Sequence, residues 1–129
     1  RHLQPERICH GLRAIAYTGL LQELAARGVA LDVCPTSNSK TGAMLLGQPH
    51  PAQEYFRRGI PIAIGSDDPG IFGCTLLDEY AWLGEHGGFS FEQLCTLARG
   101  SFGCSFLSAP ERARMARLPS LAPPQPRRD

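Results

Sequence analysis

Two adjacent aspartates, Asp67 and Asp68, lie just beyond an apolar segment of strand length, residues 60–64. Neighbouring carboxylates repel each other, and such a pair persists where a cation, a shared proton or a donor on a substrate offsets the repulsion. The β-branched residues of the segment suit a strand buried in a parallel sheet, and α/β folds bind ligands at the carboxyl ends of such strands. The pair therefore predicts a ligand site. The alternative is a strand-to-loop turn with two solvated aspartates, since Asp and the following Pro69 are ordinary turn residues.

Polar residues also end the two earlier strand-like segments. His10 and Gly11 end the first, residues 7–11, and Thr36-Ser37-Asn38 follows the second, residues 29–34. Imidazole titrates near neutral pH, so His10 is a candidate for proton transfer or metal binding, although a lone histidine at a strand end is more often structural. The tripeptide can equally close its own loop through side-chain to backbone hydrogen bonds. If the three strands are parallel, all these groups lie along one edge of the sheet.

Helical patterns separate the strands. Apolar spacing predicts a helix over 13–27 that ends at Gly28, and Pro51 opens a second over 52–58, whereas residues 36–39 are predicted to form a polar loop. Three capping boxes predict further helices, which begin at Thr75/Asp78, at Ser90/Gln93 (through 99) and at Ser108/Glu111 (to about 118). The order strand, helix, strand, loop and helix, strand predicts an α/β fold with parallel strands joined by crossovers.

Composition limits the classes of protein that are compatible with the chain. With 129 residues, 43% hydrophobic and 19% charged, it has the size and balance of a single globular domain. A formal net charge of +1 gives no indication of a nucleic-acid or anionic membrane partner, and no apolar run approaches the length of a membrane span. The 5 cysteines are odd in number and include no Cys-x-x-Cys pair, so we expect no disulfide framework and a cytoplasmic location.

Several motifs then match one family in order along the chain. The motifs are Arg7-Ile8-Cys9-His10-Gly11, Val33-Cys34-Pro35-Thr36-Ser37-Asn38, His50-Pro51 and Ser66-Asp67-Asp68-Pro69, with further similarity at Phe72, Leu76, Glu79-Tyr80 and Ser105-Phe106-Leu107. Together they resemble the carboxyl-terminal motifs of the adenosine deaminase family. The resemblance covers residues 1–118, and we expect the Pro-rich residues 119–129 to form a disordered tail.

The resemblance implies a (β/α)8 barrel of which these strands are the last three, and it implies zinc as cofactor and a small-molecule purine as substrate. In such enzymes a zinc-bound water attacks the amino-bearing carbon of the purine, and ammonia leaves. By motif match, His10 orients and deprotonates that water, Asp67 is a zinc ligand, and Asp68 accepts a hydrogen bond from a ring nitrogen of the purine. His50, between two prolines, is interpreted as a structural turn residue.

The substrate class has several alternatives. Adenosine, adenine or aminofutalosine all fit the motifs. A non-catalytic homologue that binds a purine is a further possibility, because Cys9 replaces the glycine that usually precedes the histidine. A deaminase of the cytidine type is disfavoured, since the chain has neither a His-x-Glu nor a Pro-Cys-x-x-Cys motif.

We expect the 129 residues alone neither to hold zinc tightly nor to deaminate a purine. The chain begins at Arg1 without a methionine and is expected to be a piece of a longer protein. The His-x-His and His-Ala-Gly-Glu segments of the family, which supply the other ligands and a proton-donating glutamate, do not occur in it. A catalytic zinc site needs about three protein ligands, and the matched motifs provide one. Zinc titration and an ammonia-release assay check this, and measurable deamination by the isolated chain would contradict it.

Overall fold

Three short parallel strands form the sheet. The computed structural model describes residues 3–44 and 48–117. The strands β1 (Arg7–Cys9), β2 (Ala30–Val33) and β3 (Ile62–Ile64) lie in the order β1-β2-β3. Leu31 at the centre of the sheet pairs with Ile8 on one side and with Ile62 on the other. The parallel arrangement predicted from the order of the elements is confirmed.

Helices connect the strands and continue after the last one. They are α1 (Thr18–Arg27), α2 (Pro35–Lys40), α3 (Ala52–Arg57), α4 (Pro69–Phe72), α5 (Leu76–Glu85), α6 (Phe91–Gly103) and α7 (Ala109–Ala116), and a 3-10 helix over Leu12–Ala16 precedes α1. The chain is therefore an α/β fold in which helical segments link parallel strands. Within the described residues, none of the helices is both long and apolar enough to span a bilayer.

The core lies where one face of the sheet meets the helices. Leu31 and Val33 of β2 are fully buried there, as are Tyr55 of α3 and Leu83 of α5. The phenol of Tyr55 donates to the backbone carbonyls of Gly11 and Leu12, at 3.0 and 3.1 Å. Because these carbonyls directly follow His10, the packing of α3 also supports the turn after β1.

The predicted helix over 13–27 is not continuous. Tyr17 adopts an extended conformation (φ −126°, ψ 91°) between the 3-10 helix and α1. This break shifts the phase of the apolar pattern, so that Leu21 and Leu24 enter the core while Ile15 and Leu20 stay 41% and 40% exposed. The predicted end at Gly28 is confirmed, since Gly28 has φ +64° and its amide caps the last turn.

The predicted polar loop at residues 36–39 is wrong, because these residues form α2. Pro35 occupies the first turn, where a missing N–H has no cost, and this favours helix initiation. The short helix α4 was not predicted, and α6 continues to Gly103, beyond the predicted end at 99. The three capping boxes are confirmed. The predicted tail at 119–129 lies outside the described residues, as does position 118 at the end of the last predicted helix.

Replacing Gly11 with alanine should destabilise the fold more than the same change at Gly28. Both glycines have φ +64°, a left-handed conformation that costs an L-residue about 1–2 kcal/mol. A Cβ at Gly28 would meet open space, whereas one at Gly11 would lie 2.9 Å from Cδ2 of the fully buried Leu31. We expect Gly11→Ala to cost about 1 kcal/mol more than Gly28→Ala in the free energy of urea unfolding. Equal losses in the two variants would show that Leu31 moves aside freely.

Candidate functional site

The polar residues predicted to converge do lie along one edge of the sheet. His10 directly follows β1, Ser37 and Asn38 lie in the first turn of α2 after β2, and Asp67 is the third residue beyond β3. All three positions are at the carboxyl ends of parallel strands, which is why they share an edge. We call His10, Ser37, Asn38 and Asp67 the rim cluster.

Direct hydrogen bonds connect the members of the rim cluster. The hydroxyl of Ser37 donates to Oδ2 of Asp67 at 2.7 Å, and the side-chain amide nitrogen of Asn38 lies 2.9 Å from Nδ1 of His10. Nε2 of His10 is 3.9 Å from the same Oδ2 of Asp67. The strands that precede His10 and Asp67 are not neighbours, since β2 lies between them. Two strand spacings are about 10 Å, so the side chains from α2 bridge this separation.

Backbone conformation contributes to the convergence. Among the described residues, the only two non-glycine residues with positive φ are His10 (φ 59°) and Asp67 (φ 55°). A left-handed conformation costs an L-residue of this kind about 1–2 kcal/mol, and such residues concentrate at functional sites. Each of them turns the chain sharply at a strand end, and each directs its side chain toward the other.

Glu79 of α5 holds the start of α2 in place. Its side chain is fully buried. Oε2 accepts a hydrogen bond from the backbone N–H of Thr36 at 2.9 Å, and Oε1 accepts one from the thiol of Cys74 at 3.2 Å. Burial and the hydrogen bond to Glu79 raise the pKa of the Cys74 thiol, so the thiol keeps its proton and acts as the donor. Because Thr36 precedes Ser37, this contact positions the turn that bridges the strands.

His50 lies behind the rim cluster and contacts it through Asn38. It is 3% exposed, its Nδ1 accepts a hydrogen bond from the backbone N–H of Ala52 at 3.1 Å, and its Nε2 lies 3.1 Å from Oδ1 of Asn38. Its ring packs edge-on against Trp82 with centroids 5.8 Å apart. Burial lowers the pKa of His50 to about 4, so the ring is neutral at physiological pH. The interpretation of His50 as a structural residue agrees with these contacts.

A small pocket lies beside the rim cluster on the sheet. It has a volume of about 260 Å³, and its lining includes Cys9, His10, Asp32, Cys34 and Asp67. The carboxylate of Asp32 accepts from Cys9 at a sulfur to oxygen distance of 4.0 Å. Burial, and then the negative charge of Asp67, raise the pKa of the Cys34 thiol to about 11, so the free thiol keeps its proton at neutral pH. The pocket therefore combines the polar side chains of the rim with two cysteine side chains.

Asp68 lies apart from the rim cluster. It is exposed and precedes α4, where its backbone carbonyl accepts from the amides of Ile71 and Phe72. Within residues 3–44 and 48–117 its side chain forms no hydrogen bond or ion pair. Of the two aspartates, only Asp67 forms hydrogen bonds with the rim cluster within the described residues.

The described residues can supply one ligand of a metal site, the carboxylate of Asp67. Asp67 has a carboxylate oxygen, Oδ1, to which no hydrogen bond is formed within the described residues, and carboxylate oxygen is an ordinary zinc ligand. However, the described part of the chain contains no group of three or more His, Cys, Asp or Glu side chains that could hold a metal ion. A complete catalytic zinc site, with about three protein ligands, is therefore not formed by these residues alone.

The sequence did not identify every residue that builds the site. The strand-end position of Ser37 and Asn38 indicated polarity at the right edge, but not their contacts with Asp67 and His10. The contact between Glu79 and Thr36 joins residues 43 positions apart. Such a pairing has no local signal, and covariation between homologues is the kind of signal that could reveal it.

Comparison with known proteins gives consistent matches. The sequence profile of the family described as "Adenosine deaminase" matches residues 1–118. An aminodeoxyfutalosine deaminase of Streptomyces coelicolor is 43% identical over 114 residues, which are 88% of this chain and 30% of that protein. The adenine deaminase of Arthrobacter aurescens superposes with a TM-score of 0.79 at 36% identity, over 86% of this chain and 34% of that one. An amidohydrolase of Burkholderia ambifaria, solved with bound zinc, superposes with a TM-score of 0.75 at 22% identity, over 84% and 31% of the two chains, and this likeness concerns the fold. The chain thus spans about a third of the length of these proteins.

Removing the carboxyl group of Glu79 should loosen α2 selectively. Glu79→Ala leaves the Thr36 amide without its acceptor and should cost about 2–3 kcal/mol of stability, with faster hydrogen exchange at the amides of α2. Glu79→Gln keeps one acceptor oxygen and should show a smaller effect. Glu85→Ala, at an exposed position of the same helix, is the matched control. Exchange rates in α2 that are the same in Glu79→Ala and Glu85→Ala would refute the anchoring role.

Proposed function

The chain belongs to the adenosine deaminase family, and we propose that it supplies the carboxyl-terminal part of the active site of a zinc-dependent purine deaminase. The reaction is hydrolytic: water adds to the amino-bearing carbon of an adenine-type purine, the carbon–nitrogen bond breaks, and ammonia leaves. The product is the corresponding inosine-like compound when the substrate is a nucleoside.

One observation supports this proposal above the others. A histidine and an aspartate from strands that are not neighbours are held 3.9 Å apart, and the protein achieves this with two hydrogen-bonded bridging residues and two left-handed backbone conformations. Strand ends that only return to solvent need none of these features. The side chains of His10 and Asp67 are 38% and 34% exposed, so both are accessible to a ligand on the open side of the rim.

The proposed roles follow from the atoms that each side chain leaves available. Asp67 is a ligand of the zinc ion through its carboxylate, while Ser37 holds one of its oxygens. A bound zinc ion supplies Lewis acidity and makes water a stronger nucleophile at neutral pH. His10 orients the attacking water through Nε2. Asp68, which is exposed, accepts a hydrogen bond from a ring nitrogen of the purine.

The proposed architecture places residues 1–118 in the last part of a (β/α)8 barrel, with 119–129 as a tail outside it. The parallel sheet with helical connections supports this, as does the fraction of each relative that the chain covers. The further zinc ligands and the proton-donating glutamate would then come from other strands of the barrel. All five cysteines are free thiols, which supports a reducing compartment such as the cytoplasm.

The substrate has a second candidate within the same chemistry. The relative from Streptomyces coelicolor acts, by its name, on aminodeoxyfutalosine, and its 43% identity over 114 residues favours a modified nucleoside of that type over adenosine itself. Free adenine is the alternative suggested by the likeness to the Arthrobacter enzyme. A panel of adenine, adenosine and aminodeoxyfutalosine, assayed by ammonia release with the enzyme that contains this chain, distinguishes the three. Purine binding without turnover of any of them would favour the non-catalytic homologue.

Two substitutions in that enzyme should separate metal binding from proton transfer. Asp67→Ala should abolish turnover together with zinc content, because it removes a ligand. His10→Ala should lower kcat by at least about 100-fold with zinc retained, because it removes the group that orients the water. Zinc is measured by atomic emission and turnover by ammonia release. Ser39→Ala, an exposed position in α2, is the control. Normal turnover in either site variant would overturn the assignment.

A further inference from the structure

A chain of three hydrogen bonds leads from the protein backbone to His10. It begins at the amide of Ala52, passes through His50 and Asn38, and ends at Nδ1 of His10. We propose that Asn38 and His50 are positioning residues, which hold neutral His10 in the tautomer that has its proton on Nε2. The catalytic meaning of this arrangement rests on the proposed function, whereas the tautomer itself can be measured without it.

The backbone amide of Ala52 sets the direction of these three hydrogen bonds. A backbone N–H can only donate, so Nδ1 of His50 must be the acceptor in its 3.1 Å contact with Ala52. His50 is 3% exposed, and burial lowers its pKa to about 4, so the ring is neutral and has a single proton. With Nδ1 acting as the acceptor, that proton is on Nε2.

Asn38 transmits this direction to His10. The proton on Nε2 of His50 requires an acceptor, and the facing atom, 3.1 Å away, is Oδ1 of Asn38. The carboxamide is thereby oriented with its oxygen toward His50 and its nitrogen toward His10. An amide nitrogen can only donate, so Nδ1 of His10, 2.9 Å away, is an acceptor. Neutral His10 must then have its proton on Nε2.

This tautomer determines what His10 presents at the open side of the rim. Nε2 lies 3.9 Å from Oδ2 of Asp67, a distance that is longer than a direct hydrogen bond. In the neutral ring Nε2 is a donor without a free lone pair. His10 in this state orients a water oxygen by donating a hydrogen bond, and Nε2 could accept a proton from that water only in the other tautomer, which has the ring proton on Nδ1.

Burial supports a positioning role for both residues. Asn38 is 2% exposed, and its two polar atoms are each engaged with a different histidine. The rotation that would exchange its oxygen and nitrogen would place two donors against each other at His50. The orientation of Asn38 therefore depends on His50, and the tautomer of His10 depends on both.

The substitution Asn38→Asp tests the proposal with almost no change in shape. A carboxylate can only accept, so it should move the proton of neutral His10 from Nε2 to Nδ1. In the chain labelled with 15N-histidine, the ring nitrogen shifts report the tautomer at a pH where His10 is neutral. We expect His10 and His50 both to have their proton on Nε2 in the wild type. In Asn38→Asp, His10 should invert while His50 does not. Ser39→Ala, in the same helix, is the control.

Variants at His50 test whether this residue, two hydrogen bonds away from His10, controls the tautomer of His10 through Asn38. His50→Leu removes the group that orients Asn38, so His10 should become a mixture of tautomers although Asn38 is unchanged. His50→Gln retains an N–H donor and should restore a single tautomer. Asn38→Ala should also give a mixture, which provides a second measurement if Asn38→Asp perturbs the fold. A mixture or an Nδ1 proton in wild-type His10, or no change in Asn38→Asp, would overturn the proposal.

Activity separates this proposal from the proposed function. In the enzyme that contains this chain, Asn38→Asp should lower kcat about 100-fold, with KM changed by less than about twofold and zinc content retained. If the tautomers are as expected but the wild-type enzyme has no deaminase activity, the proposed function is wrong and the proposal about the tautomer still holds. Inverted His10 with normal kcat would show that the tautomer has no role in turnover.

Discussion

The distance between the ends of β1 and β3 is the constraint on which the site depends. With β2 between them, residues that follow these two strands begin about 10 Å apart, too far for a direct contact between backbone-proximal atoms. The first turn of α2 closes this distance, because Ser37 reaches Asp67 and Asn38 reaches His10 from a single helical turn above β2. A loop at this position would have to order the same two side chains at a larger cost in conformational entropy.

The position of α2 is in turn fixed by contacts that are distant in sequence. Glu79, fully buried in α5, accepts from the Thr36 amide, and β2 itself is buried between its two neighbours. The site is thus connected to the core through a helix that contributes no residue to the rim cluster. A substitution in the contact between α5 and α2 acts on the rim by moving Ser37 and Asn38, which explains how a residue without access to a ligand can matter for one.

The sequence predicted the features that depend on local patterns. The parallel pairing follows from the order of elements along the chain, and the cap at Gly28 and the three capping boxes follow from short-range signals. The structure confirms them. The polar loop at 36–39 was wrong because Ser and Asn favour turns by local propensity, whereas here a proline and a distant carboxyl group stabilise a helix. The break at Tyr17 was missed because apolar spacing alone does not show where one helical segment ends and the next begins. The contacts among His10, Asn38 and His50 depend on the tertiary fold.

Two side chains of the rim cluster, His10 and Asp67, are each held through one polar atom and present another. Asp67 receives the Ser37 hydroxyl on Oδ2, and His10 receives the Asn38 amide on Nδ1, which leaves Nε2 facing the open side. Two left-handed residues, each costing about 1–2 kcal/mol, are retained to direct these groups toward each other. That cost is a substantial part of the stability of a domain of this size, which is about 5–15 kcal/mol. An arrangement of this kind is expected where orientation matters more than stability, and this is why the proposed function places ligand binding at the rim cluster.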